Sequence, residues 1–128
     1  MENASNPDII DELIGGLGFR ETEKLKLLKQ EIINELSGLK EAYPLPPHLI
    51  SLRTTYQLSA EEVINQLPPE DFAKGQIGLI IAQATMFQEA GWDKRFQEDI
   101  ADALAYAEGM GFDNIAQAIK SIQTNPPQ

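Results

Sequence analysis

The longest apolar stretch of the chain, residues 72–90, constrains the fold more than any other feature. It is too long for an ordinary strand and is rich in Ala, Leu, Met and Gln, which favour a helix. In a helix its apolar side chains would point in nearly every direction around the axis, so other elements must cover most of its surface. We therefore expect a central apolar helix over about residues 69–90.

The rest of the chain shows helical spacing of apolar residues, and nowhere does an alternating pattern persist. This predicts an all-α fold, a single-domain bundle of five to seven mostly antiparallel helices around the central one. A length of 128 residues suits one domain with an ordinary core. The predicted segments, in chain order, are a disordered N-terminus (1–6), a helical arm or first hairpin (7–43), a proline-rich linker (44–48), core helices (49–123) and a disordered tail (124–128).

Glycine–aromatic pairs predict where two helices end. Gly91 and Gly111 can adopt the left-handed conformation that closes a helix, while the aromatic residue after each folds back onto the last turn. Asp93 and Asp113 follow, and we expect each to cap the start of the next helix.

Two further local patterns concern the middle of the chain. Ser59 and Glu62 have the spacing of a capping box, which predicts a short helix that begins at Ser59. Gly75 and Gly78 lie inside the expected central helix, where glycine is unfavourable by about 1 kcal/mol against Ala. We expect these glycines to allow another element to approach closely.

The charge and cysteine content exclude several classes of function. The net charge is -10, and acids outnumber bases in both halves of the chain. Such a chain repels phosphate backbones and anionic membranes, so we expect neither as a partner and favour a protein partner with a basic surface. The absence of cysteine excludes disulfides and thiolate metal sites and suits the cytoplasm. No signal-peptide pattern is present, and no uninterrupted apolar run approaches the length of about 20 residues that a membrane span needs. Lys74, Gln76 and Gln83 interrupt the central stretch.

An amphipathic stripe precedes the proline-rich segment. Its apolar residues recur at three and four positions, the spacing of one helical face. The stripe can pack on its own chain, or it can form the surface that binds a protein partner or a second copy in a homodimer. The candidate partner-binding residues are Leu25, Leu28, Ile32, Leu36 and Leu39.

Three neighbouring acids are the candidate metal ligands. Glu98, Asp99 and Asp102 are placed so that two carboxylates one turn apart could share magnesium or calcium. The run from Asp99 to Asp102 resembles half of the pattern with which helical pyrophosphatases of the MazG type hold magnesium, which implies a carboxylate-metal-dependent hydrolase. The other half departs from that family, because Asn65 stands where a second acid should follow Glu62. The simpler expectation is a solvated acidic face without metal.

The hairpin over residues 104–119 resembles a single unit of a tetratricopeptide repeat, which would imply a peptide-binding groove. The two glycine–aromatic turns lie 20 residues apart, against about 34 in that repeat. His48 is the only histidine, and we expect it in an exposed loop without a catalytic role.

These features favour a non-enzymatic, cytoplasmic protein–protein interaction module without a cofactor. An adaptor, assembly factor or regulator would use an acidic or amphipathic helical surface to bind its partner. The alternative is the carboxylate-metal-dependent hydrolase implied by the acidic cluster. No catalytic residue is predicted.

Overall fold

The computed structural model describes residues 7–41 and 44–124, and within these ranges the chain contains six α-helices, a short 3-10 turn and no strand. The elements are α1 (Pro7–Gly16), α2 (Glu23–Ser37), α3 (Pro47–Ile64), the 3-10 turn (Pro69–Asp71), α4 (Phe72–Glu89), α5 (Asp93–Gly109) and α6 (Asp113–Thr124). The predicted all-α, single-domain bundle is confirmed. The expectations for residues 1–6 and 125–128 lie outside the described residues, and Thr124 is the last residue of α6.

One continuous core joins the helices, from Ile10 on α1 to Ile122 on α6. α4 packs against α1, α2, α3 and α5, while α2 packs on α3 and α6 packs on α5. Eleven of the eighteen residues of α4 are buried, whereas Ile80 is only half-buried. Because short turns link α4 to α5 and α5 to α6, these neighbours form antiparallel hairpins.

Both predicted glycine caps are confirmed. Gly91 has a φ of 85° and Gly111 a φ of 77°. The backbone N–H of Trp92 donates to the carbonyl of Phe87 at 2.8 Å, and the N–H of Phe112 donates to the carbonyl of Ala107 at 2.9 Å. These bonds span five residues, as the Schellman motif requires.

The predicted N-caps at Asp93 and Asp113 are wrong by one position, because each is the first residue of its helix. The first turn of α5 is capped from a distant segment instead. The Glu41 carboxylate accepts a hydrogen bond of 2.8 Å from the backbone N–H of Arg95. A side chain 54 residues away therefore replaces the local cap.

The glycines inside α4 allow close packing, as predicted. A Cβ at Gly78 would lie 2.8 Å from the Cβ of Phe19, in the loop between α1 and α2. A Cβ at Gly75 would lie 2.8 Å from the Leu67 side chain. These glycines therefore bring α4 close to two connecting segments.

The capping box predicted at Ser59 is wrong. α3 runs without interruption from Pro47 to Ile64, and Ser59 is buried inside it. Apolar residues on both sides of Ser59 share one buried face, so packing stabilises a single helix across the local start signal. The buried apolar residues of α3 are Leu49, Tyr56, Ala60 and Ile64.

The linker expected over residues 44–48 overlaps the start of α3. Pro47 occupies the first helical position, where its missing N–H breaks no hydrogen bond. His48 is therefore in the first turn of a helix and not in a loop. Its Nε2 lies 2.9 Å from a carboxylate oxygen of Glu35 on α2, and both side chains are exposed.

Candidate functional site

The amphipathic stripe on α2 is largely used inside the molecule. Leu25, Ile32 and Leu36 are fully buried, and Leu28 is half-buried against the core. The three buried residues face the core of the chain itself, because α2 packs on α3 and α4. Only Leu39, which lies just beyond α2, is exposed.

The acidic cluster on α5 is divided between solvent and interior. Glu98 and Asp102 are exposed, as expected, whereas Asp99 is half-buried. The Arg95 Nε lies 3.9 Å from the Asp99 Oδ1. The Arg53 guanidinium on α3 also attracts the Asp99 carboxylate. The expectation of a fully solvated acidic face is therefore wrong for Asp99.

Burial dominates the electrostatics of this cluster. It raises the pKa of Asp99 despite the attraction of Arg95 and Arg53. Burial, followed by repulsion from Arg95, lowers the pKa of Arg53. Both guanidinium carbons lie near the Phe87 ring, at 5.4 Å for Arg53 and 4.8 Å for Arg95 from its centre. Both Asp99 and Arg53 thus carry their charges at a cost in desolvation.

This arrangement does not assemble a carboxylate-metal centre. Asp99 and Asp102 share a cleft of about 190 Å³ with Arg53 and Gln83, and the Arg53 Nη2 donates to the Gln83 Oε1 at 2.8 Å. The lining of this cleft thus combines its two acids with the Arg53 guanidinium. Across the described parts of the chain, no three His, Cys, Asp or Glu side chains are grouped to hold a metal ion.

Two adjacent glycines at the end of α1 mark a different candidate site. A Cβ at Gly15 or Gly16 would meet nothing within 4 Å, and neither residue has a positive φ. Packing and backbone conformation therefore do not require glycine at either position. Gly15 faces one cavity and Gly16 another, so α1 separates two open clefts.

The cleft at Gly16, here called the α1–α6 groove, is mainly apolar. It has a volume of about 430 Å³. Ile9 at its edge is 44% exposed, and Glu12 and Lys74 are its charged residues. The other lining residues are Leu13, Leu17, Ile115, Ala118 and Ile122. The groove therefore offers apolar side chains from two helices with one charge of each sign.

The cleft at Gly15, here called the α1–α2 cavity, has a volume of about 370 Å³ and combines apolar and charged walls. Glu21 lines this cavity, and its Oε2 accepts a 2.6 Å hydrogen bond from the Tyr56 hydroxyl. Lys29 Nζ lies 3.5 Å from the same oxygen. Burial and the Glu21 carboxylate hold the pKa of Tyr56 far above its usual range, so this phenol remains a donor.

Comparison with models of known protein families, with curated proteins and with solved structures finds no match for this chain. None of the helices in residues 7–41 and 44–124 combines the length and apolarity needed to cross a bilayer.

Neither cleft was predicted from the sequence. Gly15 and Gly16 are the last two residues of α1. One glycine suffices to end a helix, so the second glycine was the available signal. What lies beside each glycine depends on the positions of α2, α4 and α6, which no local pattern specifies.

Proposed function

We propose that this chain is a non-enzymatic protein-interaction module that binds an amphipathic helix of a partner protein in the α1–α6 groove. The observation that carries the proposal is the groove itself, which among the described residues is an apolar cleft between two helices beside a glycine that the fold does not need. Apolar grooves between helices accept the apolar face of a third helix, whose anchors recur at three and four residues. The proposed role is that of an adaptor, assembly factor or regulator.

The charge of the chain favours a basic partner over a second copy. Two molecules with a net charge of -10 each repel one another. Glu12 is exposed on α1 and lines the groove. A helix with Lys or Arg flanking its apolar face would therefore be attracted to this edge, more strongly at low salt. We propose a cytoplasmic location, which the absence of cysteine suits.

Photo-crosslinking from the groove tests this proposal. A photoreactive phenylalanine analogue replaces Ile9 at the groove edge, and in a matched variant it replaces Tyr106, which is also partly exposed but lies on α5 outside the groove. In extract from the source cells, position 9 should crosslink to a protein that position 106 does not capture. Mass spectrometry of the crosslinked peptide should show a basic amphipathic helix.

Three results would contradict the proposal. They are a crosslink to a second copy of this chain, the same products from both positions, or no product from position 9. Sedimentation of the pure protein separates the first case from the others, because it reports self-association directly.

A further inference from the structure

The α1–α2 cavity has the features of a small-molecule site. Its volume of about 370 Å³ falls in the range of ligand pockets, roughly 300–1,000 Å³. Its apolar floor belongs to the packed core and opens only in small part to the cavity, since Ile10 and Phe19 are each 1% exposed and Ile14 is 7% exposed. Charged side chains surround this floor, and Thr85 and Gln88 add polar groups from α4. A small ligand with a charged end and an apolar side chain would fit such a lining.

The charges around the cavity are separated by element. The bases come from the α1–α2 loop and α2, and they are Arg20, Lys26 and Lys29. Two of the acids, Asp11 and Glu89, come from α1 and α4, which pack against each other. The third acid, Glu21, is already engaged by Tyr56 and Lys29. The wall from the α1–α2 loop and α2 is thus mainly cationic, and the wall from α1 and α4 is anionic.

The outer charges on each wall remain available for a ligand. Within the described segments, Arg20 and Lys26 have no acidic partner within ion-pair distance, and Asp11 and Glu89 have no basic one. The two acids would repel a purely anionic ligand, and the bases would repel a purely cationic one. A ligand with both charges can satisfy both walls.

We propose that the α1–α2 cavity binds a small zwitterion with an apolar side chain, namely a free apolar α-amino acid. Its carboxylate pairs with Arg20 and Lys26, and its ammonium group pairs with Asp11 and Glu89. Its side chain lies on the floor formed by Ile10, Ile14 and Phe19. The bond from Tyr56 to Glu21 and the ion pair of Glu21 with Lys29 keep this part of the lining fixed, which reduces the ordering cost of binding. This site is separate from the α1–α6 groove and does not depend on it.

Titration calorimetry with three matched probes tests the charge requirement. Leucine carries both charges, 4-methylpentanoate lacks the ammonium group, and 3-methylbutylamine lacks the carboxylate. Leucine should bind at least about tenfold more tightly than either analogue, since one charged contact is equivalent to a factor of that order. Isoleucine, methionine and phenylalanine extend the series to other apolar side chains.

Adjacent glycines supply the matched variants. Gly15→Leu should fill this cavity and reduce leucine affinity by about tenfold or more, whereas Gly16→Leu fills the other cleft and should bind as the unmodified chain does. Lys26→Gln tests the cationic wall without adding volume, and it should weaken leucine binding without weakening 3-methylbutylamine binding, because Lys26 repels a cationic ligand. Thermal unfolding of each variant confirms that it folds.

The proposal is overturned if none of the four amino acids binds. Equal affinities for leucine and its two analogues would also overturn it, as would unchanged leucine binding in folded Gly15→Leu. Each of these results can occur with or without a helix bound in the α1–α6 groove, so the two proposals fail independently.

Discussion

Two buried aromatic side chains of this protein find their hydrogen-bond partners far along the sequence. The Tyr56 hydroxyl donates to Glu21, 35 residues away, and the Trp92 Nε1–H donates to the carbonyl of Leu36 at 3.1 Å, across 56 residues. Both aromatic rings are buried, so each polar atom would be costly to leave without a hydrogen bond. Residue type indicates that such a partner exists, but only the assembled fold determines which residue supplies it.

Removing the Tyr56 hydroxyl should destabilise the protein. Tyr56→Phe should lower the free energy of unfolding by about 1–2 kcal/mol, because a short hydrogen bond to a carboxylate is lost from a buried position. Urea unfolding followed by the fluorescence of Trp92, the single tryptophan, measures this change. Tyr106→Phe is the matched control, since that ring is 37% exposed and its change should lie within about 0.5 kcal/mol. Equal losses in the two variants would show that the hydroxyl of Tyr56 contributes nothing specific.

Asp99 should give stability a distinctive pH dependence. Because burial raises its pKa in the folded state, the folded chain holds this proton at a pH where the unfolded chain has released it. The contribution of Asp99 to stability is therefore present at low pH and is lost as the pH rises through its folded-state pKa. Asp99→Asn should remove this contribution to the change of the unfolding free energy with pH. Urea unfolding of both proteins between acidic and neutral pH tests this, and parallel pH profiles would contradict it.

At the scale of elements, short sequence patterns predicted those features that depend only on neighbouring residues. The ends of α4 and α5 were predicted, because the closing bonds of Gly91 and Gly111 involve only the preceding turn. The close approach at Gly78 was also predicted, since glycine weakens a helix unless a neighbouring element needs the space of the missing side chain. The false helix start at Ser59 shows the limit, because tertiary burial of a continuous face outweighed a capping pattern. The stripe on α2 was recognised, but its sequence does not state whether its own chain or a partner covers it.

Gly78 and Gly109 should respond oppositely to the same substitution. Gly78→Ala places a Cβ 2.8 Å from the Phe19 Cβ, so α4 or the loop must move, at a cost of about 1–3 kcal/mol. Gly109→Ala adds a Cβ with nothing within 4 Å and should stabilise α5 by up to about 1 kcal/mol. Urea unfolding of each variant shows whether the substitution lowers or raises the free energy of unfolding. A neutral Gly78→Ala would contradict the close packing of α4 on that loop.

The cap at the start of α5 should depend on Glu41. Glu41→Ala removes the acceptor of the Arg95 N–H bond and should lower the unfolding free energy by about 0.5–1 kcal/mol. Glu31→Ala, at an exposed position in the middle of α2, is the control and should be close to neutral. If Glu31→Ala were as destabilising as Glu41→Ala, the loss would reflect general charge and not capping.

At the scale of the whole molecule, the helices build one core and leave two clefts on either side of α1. The class of fold could be predicted from the sequence, because the spacing of apolar residues distinguishes helices from strands without any knowledge of tertiary contacts. The clefts could not be predicted, because each is formed by elements distant in sequence: Gly16 faces α6, and Gly15 faces α2 and α4. The inward position of Asp99 was missed for the same reason, since Arg53 lies on another helix.

The yield of the position-9 crosslink in the Gly16→Leu variant tests the proposed role of the groove most directly. The added side chain enters the α1–α6 groove without contacting its surroundings at Cβ, so the fold should be retained while the yield falls about tenfold or more. Gly15→Leu changes the neighbouring residue and should keep the full yield. An undiminished crosslink in folded Gly16→Leu, or an equal loss in both variants, would contradict partner binding in this groove.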